Sequence, residues 1–272
     1  MGTTSRRLLA CYCFAAVALT SLPSQAETLR IGGSGIALAA MGLVGESLAI
    51  SEPNLKVEVL PSLSTPGGIK ALMAGELDIA ISSRPLTPDE LSKTGGEMAC
   101  LTTALVIVTS HKTATGLTRS QLAEFYTDPQ PKWPDGTPLK VILRLRDSPT
   151  TVAIATAVPG FVEAYQTAHK RQGPPVAATD QDNADLARRT NVSLAFMTLL
   201  QRRAERLDLK PLTLDGVAPS LATVADNTYP MNSRVCFLHA ASPNPIATRF
   251  MAHLKSPAGQ DLMRSLGAMP TD

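Results

Sequence analysis

The chain has 272 residues, 44% of them hydrophobic and 18% charged, with 25 Lys and Arg against 23 Asp and Glu. That length suits one large domain or two modest ones with a proper core. The near balance of charge excludes the broad basic field of a nucleic-acid binder, so any anion recognition has to be local.

Residues 1–26 read as an export leader. Arg6 and Arg7 form a basic start, Leu8 to Leu22 is apolar, and Ser24-Gln25-Ala26 puts small residues where a signal peptidase cuts. The expectation is a periplasmic protein cleaved after Ala26. Sec and twin-arginine export both remain open for Ser5-Arg6-Arg7-Leu8-Leu9. A lipid anchor on Cys11 is the alternative to cleavage after Ala26. Removing the leader takes two arginines and no acid, which leaves basic and acidic residues equal in number. No second apolar run reaches membrane-spanning length.

Leu29 and Ile31 flank Arg30 in a strand rhythm, and after Gly32-Gly33-Ser34-Gly35 the residues Leu38, Met41, Val44 and Leu48 recur at helical spacing. Leu55, Val57 and Val59 alternate with Lys56 and Glu58 as a half-buried strand. A Ser/Thr/Pro/Gly loop over 62–68 leads to a short helix with Ile69, Leu72 and Met73, and 77–81 is the next strand. This succession predicts a parallel sheet covered by helices. Thr87-Pro88-Asp89-Glu90 is a capping-box helix start, and Thr118 to Gln121 opens a second capped helix.

Residues 104–108 form a buried strand pattern, 139–143 another, and Ser148-Pro149 opens a helix through Ala157. Residues 171–185 read as a polar surface loop or helix start. Strand and helix material follows at 191–200 and 209–214, then a strand at 235–238 and a C-terminal helix with Ile246, Phe250, Leu254 and Leu262.

Cys100 and Cys236 remain after the leader, an even number in an oxidising compartment, so they form either one disulfide or two buried thiols. No CxxC or Cys/His cluster points to a metal, and His111, His169, His239 and His253 are scattered. No cofactor is expected. Gly33-Ser34-Gly35 begins like a dinucleotide fingerprint, but Leu38 stands where its third glycine belongs.

Three loops, 32–36, 64–68 and 147–151, share the order strand, small polar run, helix. In an open parallel sheet such loops meet at the carboxyl ends of the strands, where ligands bind. A helix start offers unpaired N–H groups and partial positive charge to an anion, and hydroxyls add directed donors. A single loop of this kind is ordinarily an N-cap and nothing more. Three together, with arginines beside the third, point to an anion site.

At these loops the chain resembles the phosphate-binding proteins of bacterial ABC importers, within the type II periplasmic-binding fold. The resemblance is carried by 29–38 (LRIGGSGIAL), Ser64 to Lys70 with Ala74 to Leu86, 117–136, 144–151 (RLRDSPTT) and Tyr229-Pro230 with the strand after it. It implies an α/β fold of two lobes, each a mostly parallel sheet flanked by helices. Lobe one would be 27–108 plus 232–272 and lobe two 109–231, with two hinge strands near Leu105 and Val235.

The resemblance also implies a ligand set: backbone N–H groups near Gly35 and Ile36, the hydroxyls of Ser34, Thr65, Ser83, Ser148 and Thr150, and Arg144 as charge partner. Arg84 and Arg146 are second candidates. On a strand leading into the loop, Arg144 and Arg146 share a face, so the sequence does not choose between them. Where phosphate binders commonly carry an aspartate before the Pro-Leu pair, this chain has Ser83-Arg84, and Pro149 removes a backbone N–H at a helix start. The implied function is phosphate capture for an ABC permease and its ATPase by a monomer that is not an enzyme. The alternatives are another oxyanion (sulfate, molybdate or tungstate) or a sensory or scaffold protein on the same fold.

Overall fold

The computed structural model describes residues 27–271. The expected leader, its cleavage after Ala26 and the alternative anchor on Cys11 lie outside the described residues.

The chain opens as a β-α-β-α-β run: β1 (Glu27–Gly33), α1 (Leu38–Ala49), β2 (Leu55–Val59), α2 (Ser64–Met73) and β3 (Ile79–Ser82). The three strands are parallel, with Leu29 opposite Val57 and Ile31 opposite Ile79. Parallel neighbours require a crossover over one face of the sheet. The first crossover, α1, buries the periodic Leu38, Met41, Val44 and Leu48 there.

The segment 62–68 departs from its reading as a loop, because α2 already begins at Ser64. Pro66 lies in the first turn, where a missing N–H costs no intrahelical bond. The start of α3 (Pro88–Lys93) is the predicted capping box, Thr87 and Glu90 each accepting the other's backbone N–H.

Next comes β4 (Glu97–Thr109), which at 13 residues is much longer than its apolar stretch over 104–108 suggests. Beyond it lie β5 (Gly116–Leu117), α4 (Arg119–Thr127), β6 (Lys140–Val141), β7 (Leu143–Arg144), α5 (Pro149–Ala157), α6 (Phe161–Lys170) and β8 (Val176–Ala177). They are followed by α7 (Asp180–Arg189), β9 (Ser193–Thr198), α8 (Leu199–Ala204), β10 (Lys210–Pro211), β11 (Thr213–Leu214) and α9 (Leu221–Ala225). The chain then returns along β12 (Asn232–His239) and ends in α10 (Pro245–Lys255), α11 (Pro257–Ser265) and β13 (Ala268–Pro270).

The main sheet has the order β2-β1-β3-β12-β4-β9-β6 and is mixed, since β12 is antiparallel to both β3 and β4. Strand β4 is long because it serves two sets of partners. Residues 97–104 pair with β12, and residues 105–109 pair with β9. The apolar core divides along the same strand. Leu101 packs with Leu29, Met41, Phe237 and Phe250, whereas Ala104 to Val108 pack with Tyr126, Trp133, Phe161 and Phe196.

At the divide, buried Thr103 donates to the Gly267 carbonyl (2.7 Å) and accepts from Leu200 N–H (3.2 Å). The two apolar bodies are thus joined by one continuous strand, β4, which runs from one into the other. Cys100 and Cys236, opposite each other on β4 and β12, are joined as a disulfide. Among the described residues no helix is long and apolar enough to cross a membrane.

Candidate functional site

Two glycines set the geometry of the first wall. Gly33 ends β1 at φ +113°, and a Cβ there would press on the backbone of Ile81. A Cβ on Gly68 would run into Gly33 itself. Only hydrogen fits at both, so the start of α2 and the ends of β1 and β3 close to backbone contact. Ser34 N–H then donates to the Ile81 carbonyl (2.9 Å), and Leu63 N–H donates to that of Gly33 (3.1 Å). This places Ser34, Thr65 and Ser83 side by side. Thr65 Oγ1 accepts from Ser83 N–H (3.0 Å) and lies 3.2 Å from Ser83 Oγ.

The opposite wall comes from lobe two. Strand β7 ends at Arg144, whose backbone is clasped by α6. Its N–H donates to Tyr165 Oη and its carbonyl accepts from the same hydroxyl, both at 2.7 Å, while His169 Nε2 sits 3.0 Å from that carbonyl. Burial raises the Tyr165 hydroxyl and lowers His169, which keeps both neutral as hydrogen-bonding clamps. Arg144 Nη1 meets Asp180 Oδ1 at 2.7 Å, with the two side chains only 12% and 11% exposed. Asp180 Oδ2 in turn faces Ser34 Oγ across the lobes at 3.4 Å.

Between the walls is a cavity of about 210 Å³ lined by Ser34, Ile36, Ser64, Thr65, Ser83, Arg84, Arg144, Asp147, Ser148, Thr150, Asp180, Ser233 and short apolar groups. That is smaller than the roughly 300–1,000 Å³ of sites for drug-sized ligands, and it suits a small ion. Ile36 reaches the wall, while Gly35 stands behind it with its carbonyl held by Gln181 Nε2 (3.0 Å).

The two arginines the sequence left open are separated by the end of β7. Arg144 lies on the strand and lines the cavity, whereas Arg146, in the turn that follows, is exposed and outside its wall. Arg84 lines the cavity but its guanidinium is spent on Glu90, at 2.7 and 2.8 Å. That hydrogen bond is the main reason the Glu90 carboxyl is held down at about 2.

The hydroxyls in the cleft differ from ordinary caps. Thr87, Thr118, Thr179 and Ser256 each accept a backbone N–H at the start of a helix. Ser148 stands at the equivalent start of α5, and Ser34 precedes the 3-10 turn Gly35–Ala37 that leads into α1, yet neither makes a side-chain cap bond. Ser148 Oγ and Arg144 Nε are buried without any partner among the described residues. A buried unpaired hydroxyl costs about 1–3 kcal/mol, so such groups at one cavity are suited to a guest that supplies the missing acceptors.

Sequence reasoning missed Asp180. It lies in the segment read as polar surface, yet it is 8% exposed. Its local signal was present as a fourth strand-to-helix junction, Val176-Ala177 followed by Thr179-Asp180-Gln181-Asp182, where Thr179 and Asp182 form a capping box.

A family model described as a PBP superfamily domain matches residues 20–257. No curated protein sequence matches the chain. Among solved structures the chain is similar to one from Clostridium perfringens described as a phosphate ABC transporter substrate-binding protein with bound phosphate. Their TM-score is 0.72 at 18% identity, over 90% of this chain and 100% of that one. An ABC-type phosphate transport receptor from Vibrio cholerae gives 0.56 at 20% identity, over 89% and 99%. The Azotobacter vinelandii periplasmic molybdate-binding protein gives 0.61 at 13% identity, over 90% and 100%. At these identities the likeness is one of fold, the two-lobed α/β architecture of periplasmic binding proteins.

Proposed function

This chain belongs to the PBP superfamily, and from that premise we propose that it is an exported binding protein that holds inorganic phosphate between its lobes for an ABC importer. It acts by capture and release, without catalysis, and its partners are a membrane permease and the ATPase that drives it.

The observation that carries this reading is the pair of buried groups without partners, Ser148 Oγ and Arg144 Nε, in the wall of one small cavity. A dehydrated anion needs a near-complete set of donors. The hydroxyls of Ser34, Thr65, Ser83, Ser148 and Thr150, together with Arg144, offer that set from both lobes. Charge-assisted hydrogen bonds of about 1.5–3 kcal/mol each offset the desolvation when several converge. An anion that bridges the lobes favours their closed arrangement, and the closed form is what a permease would read.

The second reading, another tetrahedral oxyanion such as molybdate or sulfate, rests on Ser83, which lacks the charge of the aspartate common in phosphate binders. Isothermal titration of ligand-stripped protein with phosphate, sulfate and molybdate separates the two. The proposal expects micromolar or tighter binding of phosphate and markedly weaker binding of the others. Absence of phosphate binding at millimolar concentration would refute it.

A further inference from the structure

We propose that Gln181 and Glu205 form a clasp between the lobes, behind the anion cavity, and that this clasp sets how long a captured anion is held. The inference rests on the binding reading above and adds to it the positioning residues that hold the two walls at their working separation.

The clasp is built from elements anchored on different sides. Helix α7 carries Gln181 and belongs to lobe two, where its Ala184 and Ala187 pack with Phe161 and Phe196. Helix α8 carries Gln201 and ends beside Glu205. It follows β9, yet its Leu200 and Ala204 pack with Leu29, Met41 and Phe250 of lobe one. Hydrogen bonds between these two helices therefore cross from one apolar body to the other.

Gln181 Nε2 donates to the Gly35 carbonyl and to Glu205 Oε1, both at 3.0 Å. Gln201 Nε2 donates to the Asp180 carbonyl at 3.2 Å and to the same Glu205 oxygen at 3.1 Å. An amide nitrogen has two hydrogens, so each glutamine is fully committed. One hydrogen reaches a carbonyl of the opposite lobe, and the other is collected by Glu205. The two carbonyls adjoin the site, since Gly35 follows Ser34 and Asp180 is the partner of Arg144. Fixing them fixes the separation of the Ser34 and Arg144 sides of the cavity.

The residue types fit this role. Burial pushes the Glu205 carboxyl above its ordinary value, and the bonds from Gln201 and Gln181 oppose that rise. The Gln181 amide has one workable orientation, because reversal would set its oxygen against the Gly35 carbonyl and the Glu205 carboxylate. In that orientation the oxygen lies over Gly35, where a Cβ would overlap it. Gly35 is not one of the glycines with positive φ, so its backbone does not require glycine. The space for Gln181 does.

Bonds made only where the lobes meet stabilise the closed, loaded form and contribute nothing to the first encounter. They lower the rate of release and leave the rate of capture alone.

The test is stopped-flow binding of inorganic phosphate to ligand-stripped wild type and variants, each with a ligand-free melting curve. Gln181→Ala should release phosphate about tenfold faster or more, the loss of two ordinary hydrogen bonds, with association within about twofold of wild type. Gln181→Glu should release it faster still, because a carboxylate donates to neither acceptor. Glu205→Leu should match Gln181→Ala, and Glu205→Gln, which keeps an oxygen for both amides, should recover most of what Glu205→Leu loses. Gln181→Ala combined with Glu205→Leu should lose no more than the worse single variant, because the two residues act as one unit.

Release within twofold of wild type in both Gln181 variants would overturn the inference, and so would an affinity loss carried by association alone. If Glu205→Leu does not fold, the Gln181 variants still decide it. Wild type that binds sulfate or molybdate in place of phosphate would end the phosphate reading, and the clasp is then read from the release of that ion. Wild type that binds none of the three would end the binding reading and this inference with it.

Discussion

Arg144 and Asp180 pair at 2.7 Å in the wall of the cleft, with both side chains nearly out of solvent. The guanidinium is thus positioned before any ligand arrives, and its Nε remains buried without a partner. One edge of the fork is taken by Asp180, and in the proposed reading the anion takes another.

Arg144→Ala should weaken phosphate binding by about 10- to 100-fold, the equivalent of one charge-assisted bond. Arg144→Lys keeps the charge without the planar fork and should fall between the two. Titration calorimetry, with a melting curve to confirm folding, checks both. An alanine variant that binds within twofold of wild type would remove Arg144 from the site.

Ser148→Ala and Thr118→Ala should behave in opposite ways. Ser148 makes no cap bond, so its loss should leave the melting temperature of the ligand-free protein unchanged and weaken phosphate binding about tenfold. Thr118 caps α4, so its loss should cost about 1 kcal/mol of stability and leave affinity alone. Paired denaturation and binding curves read both effects. Equal stability losses would mean that Ser148 is only a cap.

Glu90→Gln tests the Arg84 pair. Arg84 holds the Glu90 carboxyl at about 2, below the ordinary 4.5. A depressed carboxyl stabilises the fold above its unfolded value, and that contribution fades as pH falls through the folded one. Wild type should therefore melt above the variant at pH 6, and the gap should close between about pH 4.5 and 2. A gap that is constant over this range would rule out the ion pair as its cause.

The disulfide closes a sequence separation of 136 residues. Replacing Cys100 and Cys236 together by serine should lower stability by about 2–4 kcal/mol in denaturant unfolding. An unchanged midpoint would mean the protein leaves these thiols free.

What the sequence reveals depends on the range of the interaction. The capping boxes at Thr87–Glu90 and Thr118–Gln121 are local, three residues apart, and both stand where the pattern predicts them. The stretch 139–143 reads as one strand but divides into β6, which pairs with β9, and β7, which pairs with β8. Nothing local announces that change of partner.

Strand β4 begins at Glu97 rather than near Ala104 because β12 pairs with its mixed first half, interrupted by Thr102 and Thr103, from far along the chain. The choice between Arg144 and Arg146 waits on where β7 ends. Asp180 is least legible of all. Its composition is that of a surface helix, and its burial comes from Arg144 beside it and Ser34 of the other lobe, 36 and 146 residues away in sequence.

The most direct measurement is a crystal structure of the ligand-stripped protein regrown with phosphate. The account predicts one tetrahedral ion in the cleft, bonded to Arg144 and Ser148 from one lobe and to Ser34 or Thr65 from the other. An ion that touches one lobe only, or a cleft left empty at saturating phosphate, would contradict it.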